Sequence, residues 1–150
     1  MNCNFKLDSS EFLNIMSERF ANDIDVSLKV TGNSMSPFLC EGRDTVFLEK
    51  FKGKVTKGDI MFYKRKDGKC ILHRVVRIKD DKVWFIGDAQ NYTEGPLSVD
   101  CIIAECNSAV RKGVRITKKN PCWMFFRYVW INLIPLRYYF IKIYSGIKKH

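Results

Sequence analysis

Between residues 26 and 117 the chain is a succession of short segments rich in β-branched and aromatic residues, and this limits its fold more than any other feature. "VSLKV" (26–30) alternates apolar with polar. "TVFLE" (45–49), "DIMFYKR" (59–65), "CILHRVVRI" (70–78) and "KVWFI" (82–86) follow. Such segments read as strands because branched and aromatic side chains pack well on a pleated surface. Gly58-Asp59 punctuates the start of one segment, and Asp67-Gly68 stands between two others. Asp-Gly is a strong hairpin signal, because both turn positions can take positive φ. "CIIAECNSAV" and "VRI" add one or two strands around Lys112-Gly113. There is no internal repeat and no low-complexity linker. At 150 residues the chain is long enough for one domain with a real core. The expected fold is mostly β: a compact antiparallel β domain with an N-terminal helix and a C-terminal aromatic, basic helical segment.

Residues 1–25 predict the helix and its lead-in. Asp8 and Glu11 have capping-box spacing. Phe12, Ile15, Met16 and Phe20 then recur at helical intervals, which predicts a face laid on a core or a surface. No uninterrupted apolar run marks this stretch as a secretory signal. Six cysteines are scattered without a CxxC pair or a Cys/His metal spacing. They predict free thiols in a reducing compartment, and neither a metal nor a cofactor is expected.

Charge divides the chain unevenly. Residues 1–110 carry 16 Lys+Arg and 16 Asp+Glu, whereas residues 111–150 carry the other 10 Lys+Arg and no acid. The whole net charge of +10 therefore belongs to the last forty residues. That asymmetry points to an anionic partner, either membrane or nucleic acid. Within 119–150, "PCWMFFRYVWINLIPLRYYFIKIYSGIKKH" is too often broken by charge and by Pro135 for a clean transmembrane helix. Its aromatic and basic residues suit a membrane interface, approached from the cytoplasmic side. Packing on the core is the competing expectation, and nucleic acid is disfavoured for want of a binding motif. If the tail is interfacial, a chain ending at Asn120 keeps its β domain folded.

Chemistry on this scaffold rests on few candidates. In "VTGNSMSPFLCEGRD" (30–44), Ser34 follows Gly32-Asn33. Taken alone, such a serine is ordinarily a turn residue bonding its own backbone. Serine becomes nucleophilic only when a base takes its proton. Of the two histidines, His150 is terminal, which leaves His73 in the strand after Asp67-Gly68. An imidazole accepts a proton near neutral pH without tuning, although a lone strand histidine is more often structural.

The blocks taken together carry more weight. "TGNSMSPFLCEGRD" resembles the nucleophile box of the type I signal peptidase superfamily, which includes the self-cleaving LexA-type repressors. "KGDIMFYKR", "LHRVVRI" and "IGDAQNYTEGPLSVDCIIAEC" resemble the blocks that follow it, in the same order, so the likeness covers about residues 26–106. The resemblance implies a peptidase domain over 26–118. It implies Ser34 as nucleophile and His73 as base, where many members carry lysine. It implies Asp88 as the acid of the Gly-Asp block, with Glu94 as a second acid and Asp100 farther along. An acid in that role fixes the imidazole tautomer and raises the histidine pKa. The sequence departs from the signal peptidases in having Gly32-Asn33 before Ser34, so the backbone N–H of Ser34, aided by Asn33, is expected to supply the oxyanion field. Glu94 stands where an aspartate is usual, and Arg43 interrupts a common Gly-Asp pair. The sequence shows neither the superfamily's N-terminal membrane anchor, nor the repressors' DNA-binding domain, nor an Ala-Gly self-cleavage site ahead of Ser34.

Three function classes follow. The first is a serine endopeptidase cleaving a precursor or leader peptide with a Ser-His dyad supported by acids. The second is an inactive peptide- or partner-binding member of the same fold. The third is a membrane-surface or nucleic-acid module whose β domain is only a scaffold. Ser34, His73 and Asp88 occurring together favour the first.

Overall fold

The computed structural model of the chain describes residues 9–148. Helix α1 (Ser9–Ala21) leads into eight strands: β1 (Val26–Lys29), β2 (Thr45–Lys50), β3 (Ile60–Lys64), β4 (Cys70–Lys79), β5 (Lys82–Ile86), β6 (Glu94–Ser98), β7 (Ile102–Arg111) and β8 (Val114–Thr117). Every pairing is antiparallel. The order is β1-β2-β7-β3-β4-β5-β6, with β8 beside β7. The fold is the mostly β, antiparallel domain that the segment pattern predicts.

Local chemistry explains the departures. At the hairpin joining β3 to β4 only Gly68 takes positive φ, at 87°. Gly68 N–H donates to Arg65 O, and Arg65 N–H donates to Lys69 O. This is a longer turn closed by a left-handed glycine, in place of a two-residue turn with both positions left-handed. Strand β6, "EGPLS", is invisible to propensity because Gly95 and Pro96 are poor strand formers. It sits at the end of the strand order, where a proline without an N–H costs no inner ladder bond. On α1, Met16 and Phe20 are buried, and Phe12 and Leu13 pack beside them. Ile15 points outward, so Leu13 replaces it on the packed face. Asp8, the expected first half of the capping box, lies outside the described residues, as do Cys3 and His150. Cys40, Cys70, Cys101, Cys106 and Cys122 are free thiols.

Strand β3 is buried on both faces from Ile60 to Tyr63. Ile60 and Phe62 enter one apolar layer with Met16, Phe38 and Leu48. Met61 and Tyr63 enter a second with Val75, Val83 and Phe85. The period-2 alternation of a strand makes this division.

The region 119–150 closes the first layer. Helix α2 (Pro121–Tyr128) starts at Asn120, whose side chain accepts from the N–H groups of Cys122 and Trp123. Pro121 at the first helical position loses nothing, because its N–H would have no helical partner. Trp123 and Phe126 pack on the Phe38 ring at centroid distances of 5.3 and 4.9 Å. Trp130 joins the same core, and Arg127 binds Asp59 at 2.6 Å. Helix α3 (Arg137–Lys148) begins with a buried arginine and then runs along the surface. The tail cations are thus not all outward: Lys118 pairs with Glu105 and Asp59, Arg111 donates to Phe38 O, and Arg137 is buried. Among the described residues no helix is long and apolar enough to cross a membrane.

Candidate active site

Ser34 lies in the loop between β1 and β2, and the ends of that loop are tied together. Asp44 is buried and accepts from Cys40 N–H and Lys112 N–H, while its own carbonyl accepts from Val30 N–H. Arg43, which interrupts the expected Gly-Asp pair, chelates the same carboxylate with Nε at 2.8 Å and Nη2 at 2.7 Å. Met35, Phe38 and Leu39 anchor the loop in the core. Ser34 is left at the mouth of a cavity of about 380 Å³, lined among others by Leu28, Met35, Phe62, Leu72 and His73. A larger cavity, about 780 Å³, lies between α1 and the sheet and includes neither Ser34 nor His73. The smaller one is lined by both Ser34 and His73.

His73 comes from β4 and is 3% exposed. Its Nε2 stands 3.1 Å from Ser34 Oγ. Two candidates 39 positions apart in sequence are therefore within one hydrogen bond of each other. Burial first, and the Arg65 charge second, pull the His73 pKa from 6.5 down to about 4, against the opposing pull of Glu94 and Asp88. This corrects the expectation that a neighbouring carboxylate raises it. The imidazole is too deeply desolvated, and among the described residues no carboxylate hydrogen-bonds to it.

The acids have other partners. Asp88 is fully buried and forms a two-pronged pair with Arg74, Oδ1 to Nε and Oδ2 to Nη2, both at 2.9 Å. Arg74 follows His73 on a strand, and adjacent strand residues project to opposite faces. A carboxylate committed to Arg74 is thereby on the wrong side of β4 to orient His73. Glu94, at the start of β6, is held by Arg65 through Nε and Nη2, the closest contact being 2.6 Å. It reaches the histidine at one remove. The Tyr63 hydroxyl lies 3.3 Å from Glu94 Oε2 and 3.2 Å from His73 Nδ1. Asp100 is exposed in the single helical turn after β6. Asn33 is exposed, and its carbonyl accepts from Ser36 N–H.

The Gly-Asp block, instead of contacting His73, seats Ser34. Ala89 N–H donates to Ser34 O at 2.9 Å. A Cβ on Gly87 would fall 2.5 Å from that same oxygen, so the approach requires glycine. The block is fixed in turn from the tail. Trp130 Nε1 donates to Asp88 O, and Arg137 Nη1 donates to the carbonyls of Gly87 and Gln90. Trp130, Arg137 and Tyr63 were not candidates on sequence. For Tyr63 a signal existed: the β3–β4 register pairs Met61 with His73 and Tyr63 with Ile71. Tyr63 is therefore the diagonal same-face neighbour of His73, within reach of a long aromatic side chain.

A buried histidine within hydrogen-bond reach of a serine, in a groove lined by both apolar and polar side chains, is an arrangement suited to acyl transfer. A sequence profile described as Peptidase S24-like matches residues 4–105. No curated protein matches the chain.

Proposed function

Because the chain belongs to the Peptidase S24-like family, we propose that it is a serine endopeptidase that cleaves a precursor or leader peptide, with Ser34 as nucleophile and His73 as base. The observation that carries this reading is the 3.1 Å approach of His73 Nε2 to Ser34 Oγ. In the proposed reaction Ser34 Oγ bonds to the scissile carbonyl carbon while its proton passes to Nε2. The carbonyl π pair moves onto oxygen, facing the backbone N–H of Ser34. His73 then returns the proton to the leaving amine, and water repeats the sequence to free the acyl group. The groove suits an extended substrate. Strand β1 ends the strand order, and Leu28, Val30 and Thr31 line the cavity beside Ser34. A peptide can pair with such an edge and set alternate side chains into the groove.

The alternative is an inactive peptide-binding member of the same fold. A fluorophosphonate probe separates the two. Labelling of the wild-type chain that disappears in Ser34→Ala is the expected outcome, and a wild-type chain that resists the probe excludes the enzyme.

A second reading concerns where the protein acts. We propose that α3 lies on an anionic membrane surface. Tyr139, Ile143 and Ile147 recur at helical spacing and are 64%, 60% and 71% exposed. Lys142 stands beside them, and α3 has no acid. An apolar stripe with aromatic and cationic flanks is the composition of an interfacial helix.

A further inference from the structure

We infer that Tyr63 is the residue that holds His73 in its reactive tautomer, and that Glu94 acts on the histidine only through Tyr63. The inference rests on the peptidase reading for its consequence, though not for its geometry.

A neutral imidazole carries one proton, and catalysis requires it on Nδ1 so that Nε2 can accept from Ser34. The Nδ1 partner decides this. A carboxylate can only accept, and would fix the tautomer outright. A phenol is ambiguous, since it both donates and accepts. Glu94 removes the ambiguity. Its carboxylate, paired with Arg65, accepts the Tyr63 O–H across 3.3 Å, which leaves a phenolic lone pair facing Nδ1 at 3.2 Å. Nδ1 must then be the donor. Arg65 supplies the remaining constraint by holding both oxygens of Glu94. The Tyr63 ring is itself fixed: it is fully buried and stacked on Phe85 at 3.9 Å with an interplanar angle of 8°. Burial and the Glu94 charge push the Tyr63 pKa up, so the phenol keeps its proton throughout the cycle. No proton is relayed beyond Nδ1. When Nε2 takes the serine proton, Nδ1–H stays on the histidine and donates to Tyr63 oxygen.

Inserting a phenol explains two departures at once. Glu94 is longer than the usual aspartate because it addresses a tyrosine that reaches across from β3. The full negative charge stays one residue away from the imidazole, while Arg65 faces it from the same cluster and Asp88 is turned to Arg74. His73 is thus oriented without being held as the cation.

The test uses full-length protein with ¹⁵N-labelled histidine, His73 being assigned by comparison with His73→Ala. The tautomer is read from the ring nitrogens at neutral pH, and Ser34 reactivity from the fluorophosphonate acylation rate. Wild type is expected to carry its proton on Nδ1. Tyr63→Phe keeps the stack on Phe85 and should lose that preference, with acylation slowed by roughly 10²-fold. Glu94→Leu should give mixed tautomers and a smaller loss. The double variant should be no slower than Tyr63→Phe, because residues acting in series are not additive. A further loss in the double variant, or an undisturbed Nδ1–H tautomer in Tyr63→Phe, overturns the inference. A wild-type chain with the expected tautomer but no acylation overturns the peptidase reading and leaves the positioning role standing.

Discussion

A histidine buried to 3% exposure beside an arginine titrates late on the way down in pH. With His73 at about 4, the neutral imidazole that a base requires is present throughout neutral and mildly acid solution. Acylation of Ser34 should therefore vary little between about pH 5 and 8, where an ordinary histidine, with its reference pKa of about 6.5, would give a rise. A rise centred near 6.5 in the pH–rate profile would show that the base is solvated. The same burial makes a stability prediction. Unfolded, His73 titrates near 6.5, so between 6.5 and 4 the unfolded chain holds more protons than the folded one. Stability is then complete above 6.5 and is lost as pH falls toward 4. At 1.36 kcal/mol per unit the loss is on the order of 3 kcal/mol. Urea titrations at pH 7 and pH 4.5 measure it, and His73→Ala should flatten the difference. Ser34 and His73 were legible because each sits in a block with a fixed order. Burial depth was not, since it depends on every strand that covers the ring.

At the scale of elements, the alternation along β4 decides more than any motif. His73 and Arg74 project to opposite faces, and each recruits its own partner. Asp88 was legible as a position, but its partner was not. A Gly-Asp block read along the sequence shows an acid near the histidine, and only the sheet shows which side of the strand it occupies. Asp88→Asn should therefore act first on stability, because it strands the Arg74 charge in the core. Removing one partner of a buried pair costs about 3–5 kcal/mol. Thermal unfolding of Asp88→Asn beside Glu94→Leu checks this: the first should melt markedly lower, and the second close to wild type. Equal melting temperatures would mean that Asp88 contributes little to the fold. The diagonal reach from Tyr63 to His73 was legible in principle, since the hairpin register fixes which residues share a face. Sequence alone does not single it out, because a tyrosine in a strand ordinarily serves packing.

On the scale of the whole molecule, composition suggested a body and an appendage, and packing does not respect that division. Trp123, Phe126 and Trp130 belong to the main core, and losing even one such aromatic costs about 3–5 kcal/mol. A chain ending at Asn120 should fail to fold, read as loss of cooperative thermal unfolding. That outcome would not bear on the membrane, so the surface of α3 needs its own variant. Ile143→Asp with Ile147→Asp should leave folding intact and abolish flotation with anionic phospholipid vesicles. Equal flotation of wild type and variant would remove α3 from the interface. The fold class was readable from strand-forming segments alone, because local pattern and tertiary outcome agree there. The tail was not, because aromatic and basic residues serve a core and an interface equally well. The clasp formed by Trp130 and Arg137 also sets an order of events in time. Arg137 lies 103 positions after Ser34, and chains emerge from synthesis N-terminus first. Ser34 and His73 are both made long before the residues that brace the loop beneath them. The proposed site is therefore completed late in the life of each nascent chain, and a chain interrupted before Arg137 carries Ser34 and His73 without the brace that seats the Ser34 loop.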